Sequence, residues 1–230
     1  MSKNKIIKVL KILFFVISII EIYFEYYKND VGIWLFKPLI MPVLIVLYCL
    51  SSSGKSLLYV LALLLNWAAN IFFISYDERI VFFGSILFLC YRFLILFKIF
   101  KEIKDIKIVP AVLGGIPFLF LFLSLINMVY SDIYGLVFFN TLMQSLLMTI
   151  LGGFALSNFV LKNDETSKLL LMSSLFFAIN LFVLGVKYYF LDMLFLKPLS
   201  MLFFILAQYI LYLFIIKIEN NKEEVVNAYF

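Results

Sequence analysis

Apolar runs, each about the length of a membrane-crossing helix and separated by short polar connectors, make up most of the chain. A helix needs about 20 apolar residues to cross the hydrocarbon core, and these runs recur at that length without the alternation of a transmembrane barrel. They predict eight helices, at 6–27, 31–50, 56–75, 80–97, 108–130, 133–161, 168–188 and 194–216. The expected fold class is therefore all-α: a polytopic membrane protein built as an eight-transmembrane-helix bundle over 1–219, with a flexible charged tail at 220–230. The sixth run, bounded only by Asp132 and Lys162, is longer than one perpendicular crossing needs. It should tilt, bend near Gly152 and Gly153, or end early.

Composition agrees with a membrane location. With 65% hydrophobic and 14% charged residues and a mean hydropathy of +1.11, the chain has too little polar surface to cover a soluble globule. The first twenty residues have a basic start and an apolar centre. The residues that follow, Glu21-Ile22-Tyr23-Phe24-Glu25, offer no small-residue cleavage site, so this segment is expected to stay as the first helix. There is no histidine, and Cys49 and Cys90 lie in apolar runs without metal or disulfide spacing, so no metal site and no cofactor are expected.

A formal charge of +5 could indicate nucleic acid, but the basic residues form short clusters between spans, the pattern of orientation signals. Lys3, Lys5, Lys8, Lys11, Lys55, Lys98, Lys101, Lys104, Lys107, Lys162, Lys168, Lys217 and Lys222 fall on one set of ends. Only Lys28, Lys37, Arg79, Lys187 and Lys197 fall on the other. This bias predicts a cell (inner) membrane protein with both termini cytoplasmic, which requires an even number of spans.

Two lysine–proline pairs precede apolar stretches: Lys37-Pro38 within Phe36-Lys37-Pro38-Leu39-Ile40-Met41-Pro42, and Lys197-Pro198 within Leu196-Lys197-Pro198-Leu199-Ser200-Met201. Proline suits the first turn of a helix, so each pair predicts a helix entrance with a lysine at its lip. There the lysines could hold a lipid phosphate or simply snorkel.

At 1.5 Å per residue, a side chain eleven positions into a span lies about 17 Å deep. Asn66 and Asn70, four apart, share a face of the third helix, and Asn140 and Gln144 do the same on the sixth. Arg92, Asn180 and Gln208 lie deep in helices four, seven and eight. Hydrocarbon penalises unpaired polar groups, so these should face inward, either around a polar cavity or bonding helix to helix. Arg92 stays charged and needs an anion or water there. Its internal candidate is Glu21, with Glu25 one turn further out at the interface; failing that pair, an anionic headgroup is the natural partner.

Several short motifs follow in order: Lys37-Pro38-Leu39 with Met41-Pro42, Gly84 with Phe88, Leu175-Phe176-Phe177-Ala178-Ile179-Asn180 followed by Lys187-Tyr188, and Ala207-Gln208. Together they resemble the YhhN family, which includes the transmembrane lysoplasmalogenases. The resemblance implies hydrolysis of the vinyl-ether bond of lysoplasmalogens, releasing a fatty aldehyde and a glycerophospho head. Where that family has a serine and then glycine-aspartate on helix three, this chain has Asn66 and Ala69-Asn70; where it has serine-aspartate on helix seven, Ile179-Asn180; its helix-four histidine falls at Arg92.

Vinyl-ether cleavage needs an acid to protonate carbon and a carboxylate or water to meet the oxocarbenium character that develops. An asparagine cannot supply the proton, so Asn70 and Asn180 occupy the catalytic positions without their acids, and Glu21 is the candidate relocated acid. In the enzyme reading Asn70 and Gln208 position water or headgroup, while Lys37, Lys197, Asn66 and Arg92 bind substrate. The competing readings are a non-catalytic lysophospholipid binder or transporter on the same bundle, and a structural protein whose amides join helices.

Overall fold

Each apolar run forms a helix in the computed structural model of the chain, which describes residues 2–103, 107–131 and 133–228, with side chains to residue 221. Lys104, Asp132 and the Lys222 side chain, used above as connector residues, lie outside what is described. The helices are α1 (Lys3–Tyr26), α2 (Asp30–Ser51), α3 (Leu57–Phe72), α4 (Glu78–Glu102), α5 (Ile108–Val129), α6 (Gly135–Lys162), α7 (Glu165–Tyr189) and α8 (Leu196–Ala228). No strand occurs among the described residues.

Among the described residues, six helical segments are long and apolar enough to cross a membrane: α2, α4, α5, α6, α7 and the Leu196–Asn221 part of α8. α1 carries Glu21 and Glu25 besides its lysines, and α3 has 16 residues, so these two fall short in charge and in length respectively. The outward faces are apolar: Phe120 is 75% exposed and Leu136 72%. Side chains of that kind at that exposure belong against lipid tails.

The chain divides into two compact units, Met1–Leu94 with Tyr212–Phe230, and Ile95–Leu211. In the first unit α1 packs on α2 where Gly32 lets the Phe24 ring approach: a Cβ there would lie 2.2 Å from that ring. Phe24 also stacks on Phe36, ring centroids 5.6 Å apart. The α3–α4 contact uses Gly84, whose Cβ would sit 2.9 Å from Phe72 Cβ and 3.2 Å from the Ala69 carbonyl oxygen. The core between these elements includes Leu44, Leu47, Tyr48, Tyr59 and Leu63, all fully buried.

In the second unit α5 and α6 meet backbone to backbone. A Cβ on Gly153 would lie 2.5 Å from the Ala111 carbonyl oxygen and 2.7 Å from Gly115 Cα, and one on Gly114 would lie 2.6 Å from the Gly153 carbonyl oxygen. Without a hydrophobic drive between helices in lipid, such glycines allow association through close van der Waals contact. The Gly152-Gly153 pair thus serves as a contact surface, and α6 runs unbroken through it for 28 residues. α7 follows after Asn163, which takes the left-handed conformation (φ +47°) and ends α6 by donating its N–H to the Phe159 carbonyl at 2.8 Å. Asp164 then caps α7, accepting from Ser167 N–H at 2.7 Å, while its own N–H donates to Ser167 Oγ at 3.1 Å. Ser173 Oγ donates to the Ala207 carbonyl at 3.0 Å and ties α7 to α8.

α8 remains helical to Ala228, past residue 219, where the sequence suggested a loose tail.

Candidate functional site

Among the described residues, α1 and α2 bring three buried charged side chains together. Lys37 Nζ donates to Glu25 Oε1 at 2.6 Å and lies 3.7 Å from Glu21 Oε1; none of the three residues is more than 4% exposed. Glu21 and Glu25 are four apart and share a face of α1, which lets one ammonium serve both. Burying an ion costs several kcal/mol even after relaxation, and a close pair with good geometry offsets that cost.

This cluster corrects two expectations. Pro38 does not open a helix, because α2 begins at Asp30, where the Asn29 side chain accepts from Gly32 N–H at 2.9 Å. Lys37 therefore lies two turns inside α2, buried and ion-paired, instead of at an exposed lip. Glu25, next to the last residue of α1, is likewise buried, 2% exposed. The equivalent expectation holds for Lys197-Pro198, which occupies the first turn of α8.

Prolines inside a helix leave carbonyls without their usual donors. Pro42 cannot bond the Pro38 carbonyl one turn back, and Trp67 on α3 supplies the missing donor, its Nε1–H reaching Pro38 O at 2.8 Å. One residue earlier on α3, Asn66 Nδ2 donates to Met41 Sδ at 3.7 Å. Asn70 Nδ2 in turn donates to the Asn66 carbonyl at 2.8 Å and to Asn66 Oδ1 at 2.9 Å. The two amides form a chain along α3, and at its Asn66 end that chain also joins α3 to α2.

Arg92 is the remaining deep charge of the first unit, 6% exposed on α4. It forms no hydrogen bond or ion pair with Glu21: among the described residues its Nε, Nη1 and Nη2 have no hydrogen-bond partner. Its guanidinium carbon lies 4.7 Å from the centre of the Phe88 ring, a contact worth about 2 kcal/mol when desolvated.

The second unit holds Asn140, Gln144, Asn180, Lys197 and Gln208. Asn140, Gln144, Asn180 and Gln208 are all buried, as expected of amides in lipid-spanning helices, and Gln208 is fully so. Lys197 is half-buried. Asn180 Oδ1 accepts no hydrogen bond among the described residues.

Sequence reasoning missed a second carboxylate site. Glu219, near the end of α8, accepts from Tyr48 O–H at 3.0 Å and from Ser52 O–H at 2.6 Å; Tyr48 Oη in turn accepts from Ser56 N–H at 2.7 Å. Tyr212 O–H donates to Ser51 Oγ at 2.8 Å. The serine-rich connector between α2 and α3 is thereby fastened to α8 within the first unit. The run Ser51-Ser52-Ser53 beside a tyrosine was the available signal, but it does not name its partner. Glu102 on α4 pairs with Lys98 at 2.8 Å, four residues apart on one helix face.

Among the described residues, no group of three or more His, Cys, Asp or Glu side chains is arranged to hold a metal ion. No family model, curated protein or solved structure matches the chain.

Proposed function

We propose that the protein is a YhhN-type integral membrane protein, its eight helices all crossing the cell (inner) membrane with both termini in the cytoplasm, that binds lyso-ether phospholipids and cleaves their vinyl-ether bond. The observation that carries the catalytic part is the buried Glu21–Lys37–Glu25 cluster. Lys37 lies 2.6 Å from Glu25 and 3.7 Å from Glu21, and a single ammonium balances only one of two carboxylates, so Glu21, the more distant, is the carboxyl group suited to carry and deliver a proton. Transfer of that proton to the vinyl carbon remote from oxygen creates an oxocarbenium centre. Water adds to this centre, and the resulting hemiacetal breaks its carbon–oxygen bond to give fatty aldehyde and the glycerophospho alcohol. The proton released when water adds restores Glu21. The neighbouring Glu25 carboxylate supplies negative charge to the cationic intermediate.

A second reading, a lipid binder without turnover, is favoured by Asn70 and Asn180, amides at the positions where the resemblance calls for acids. Purified protein mixed with a lysoplasmalogen separates the two. Aldehyde release that disappears in Glu21→Gln supports the hydrolase; lipid retained without any aldehyde supports the binder and ends the catalytic proposal.

A further inference from the structure

Arg92 poses a problem that the proposed chemistry does not use. Of the two buried cations among the described residues of the first unit, Lys37 is spent on Glu25 and Glu21, and Arg92 on no carboxylate. The other buried carboxylate of that unit, Glu219, is held by Tyr48 and Ser52. All three guanidinium nitrogens of Arg92 lack an acceptor among the described residues, although the residue is only 6% exposed. The Phe88 ring lies against the guanidinium at 4.7 Å and itself stacks on Tyr91 at 5.3 Å, so one side of the cation rests on a fixed aromatic surface. An aromatic face attracts a cation but accepts no conventional hydrogen bond from the in-plane N–H groups. Water would satisfy those groups and leave the charge unbalanced; an oxyanion does both, and the planar fork matches two oxygens of a phosphate or carboxylate.

We infer that Arg92 is the seat of an oxyanion-binding site in the first unit, with Phe88 as its floor and the guanidinium edge as its clamp. Its ligand is a phosphate-type oxyanion, either free or as the head of an amphiphile. The site stands apart from hydrolysis, because binding is read without turnover. Absence of aldehyde release therefore ends the catalytic proposal and leaves this one intact.

The test uses the full chain in a maltoside detergent and phosphate-free buffer. Inorganic phosphate, a lysophosphatidate and an uncharged monoacylglycerol of the same chain length are titrated, with the thermal unfolding midpoint and retention in native mass spectrometry as readouts. Lysophosphatidate or phosphate should bind the wild type saturably, and Arg92→Gln should weaken that binding by about 10- to 100-fold, the range for hydrogen bonds to a charged group. Binding of inorganic phosphate alone identifies a free anion as sufficient; a requirement for lysophosphatidate identifies a lipid head. Equal response to monoacylglycerol, no saturable binding of either anion, or unchanged affinity in Arg92→Gln overturns the site. If Arg92→Gln fails to fold, Arg92→Lys carries the test. It keeps the charge without the fork, so weaker binding supports the clamp and wild-type affinity refutes it.

Discussion

Replacing Lys37 with methionine tests the central cluster most directly. Methionine keeps much of the length of the side chain but leaves Glu25 and Glu21, 2% and 0% exposed, without the ammonium that lies 2.6 and 3.7 Å from them. Removing one partner of a buried ion pair costs about 3–5 kcal/mol because the other charge stays behind. Glu25 stays behind charged, with the Glu21 carboxyl group beside it, so Lys37→Met should fall within that range. Neutralising the leftovers should reverse the loss. Lys37→Met with Glu25→Gln should recover part of it, and adding Glu21→Gln should return stability to within about 1 kcal/mol of the wild type, since replacing a buried pair outright is often nearly neutral. Reversible unfolding in mixed micelles, followed by circular dichroism, gives the four free energies of this series. A single mutant as stable as the wild type, or a triple mutant as unstable as the single one, would refute the argument that Lys37 serves to balance buried carboxylates.

Two further predictions concern the second unit. Gly153→Ala should destabilise by about 1–3 kcal/mol or more, because its Cβ would strike the backbone of α5, which cannot move aside as a side chain can. Gly115→Ala on the facing helix is the matching control, with its nearest added contact at an ordinary 3.7 Å, and should cost far less in the same unfolding assay. Asp164→Ala should cost about 1 kcal/mol through loss of the α7 cap. Partial burial raises the Asp164 carboxyl, but the hydrogen bonds from Ser167 outweigh it and hold the group below its ordinary value in the folded protein. A depressed folded value means that the cap's contribution is complete above the ordinary carboxylate range and is lost as pH falls through the folded value. The stability difference between wild type and Asp164→Ala should therefore shrink on acidification below about pH 4, and a constant difference down to pH 2 would refute the linkage.

How much could be read from the chain depended on whether the controlling interaction was local. α2 and α7 were legible because apolar length defines them, although the Asn29 and Asp164 caps that fix their starts were not read, and the burial of Asn70, Arg92, Asn180 and Gln208 followed from the cost of amides and guanidinium in hydrocarbon. Pro38 misled because a proline marks a helix start only when no neighbour can supply the lost donor, and Trp67, 29 positions away, supplies it. Glu25 looked interfacial by its distance from the middle of the run; its burial depends on Lys37 across the α1–α2 turn. Glu219 read as the edge of a tail, since its ligands Tyr48 and Ser52 are 171 and 167 positions distant in sequence. The Gly152-Gly153 pair was visible, but its partner helix was not, so a tilt, a bend or an early end was expected there and the contact with α5 was not.

The bond from the Trp67 indole to the Pro38 carbonyl ties the completion of one helix to the synthesis of the next. α2 is synthesised before α3, so the carbonyl stranded by Pro42 has no indole to bind until the later helix is made. Only α3 delivers the indole, so the backbone of the earlier helix is fully satisfied only once its successor has been made.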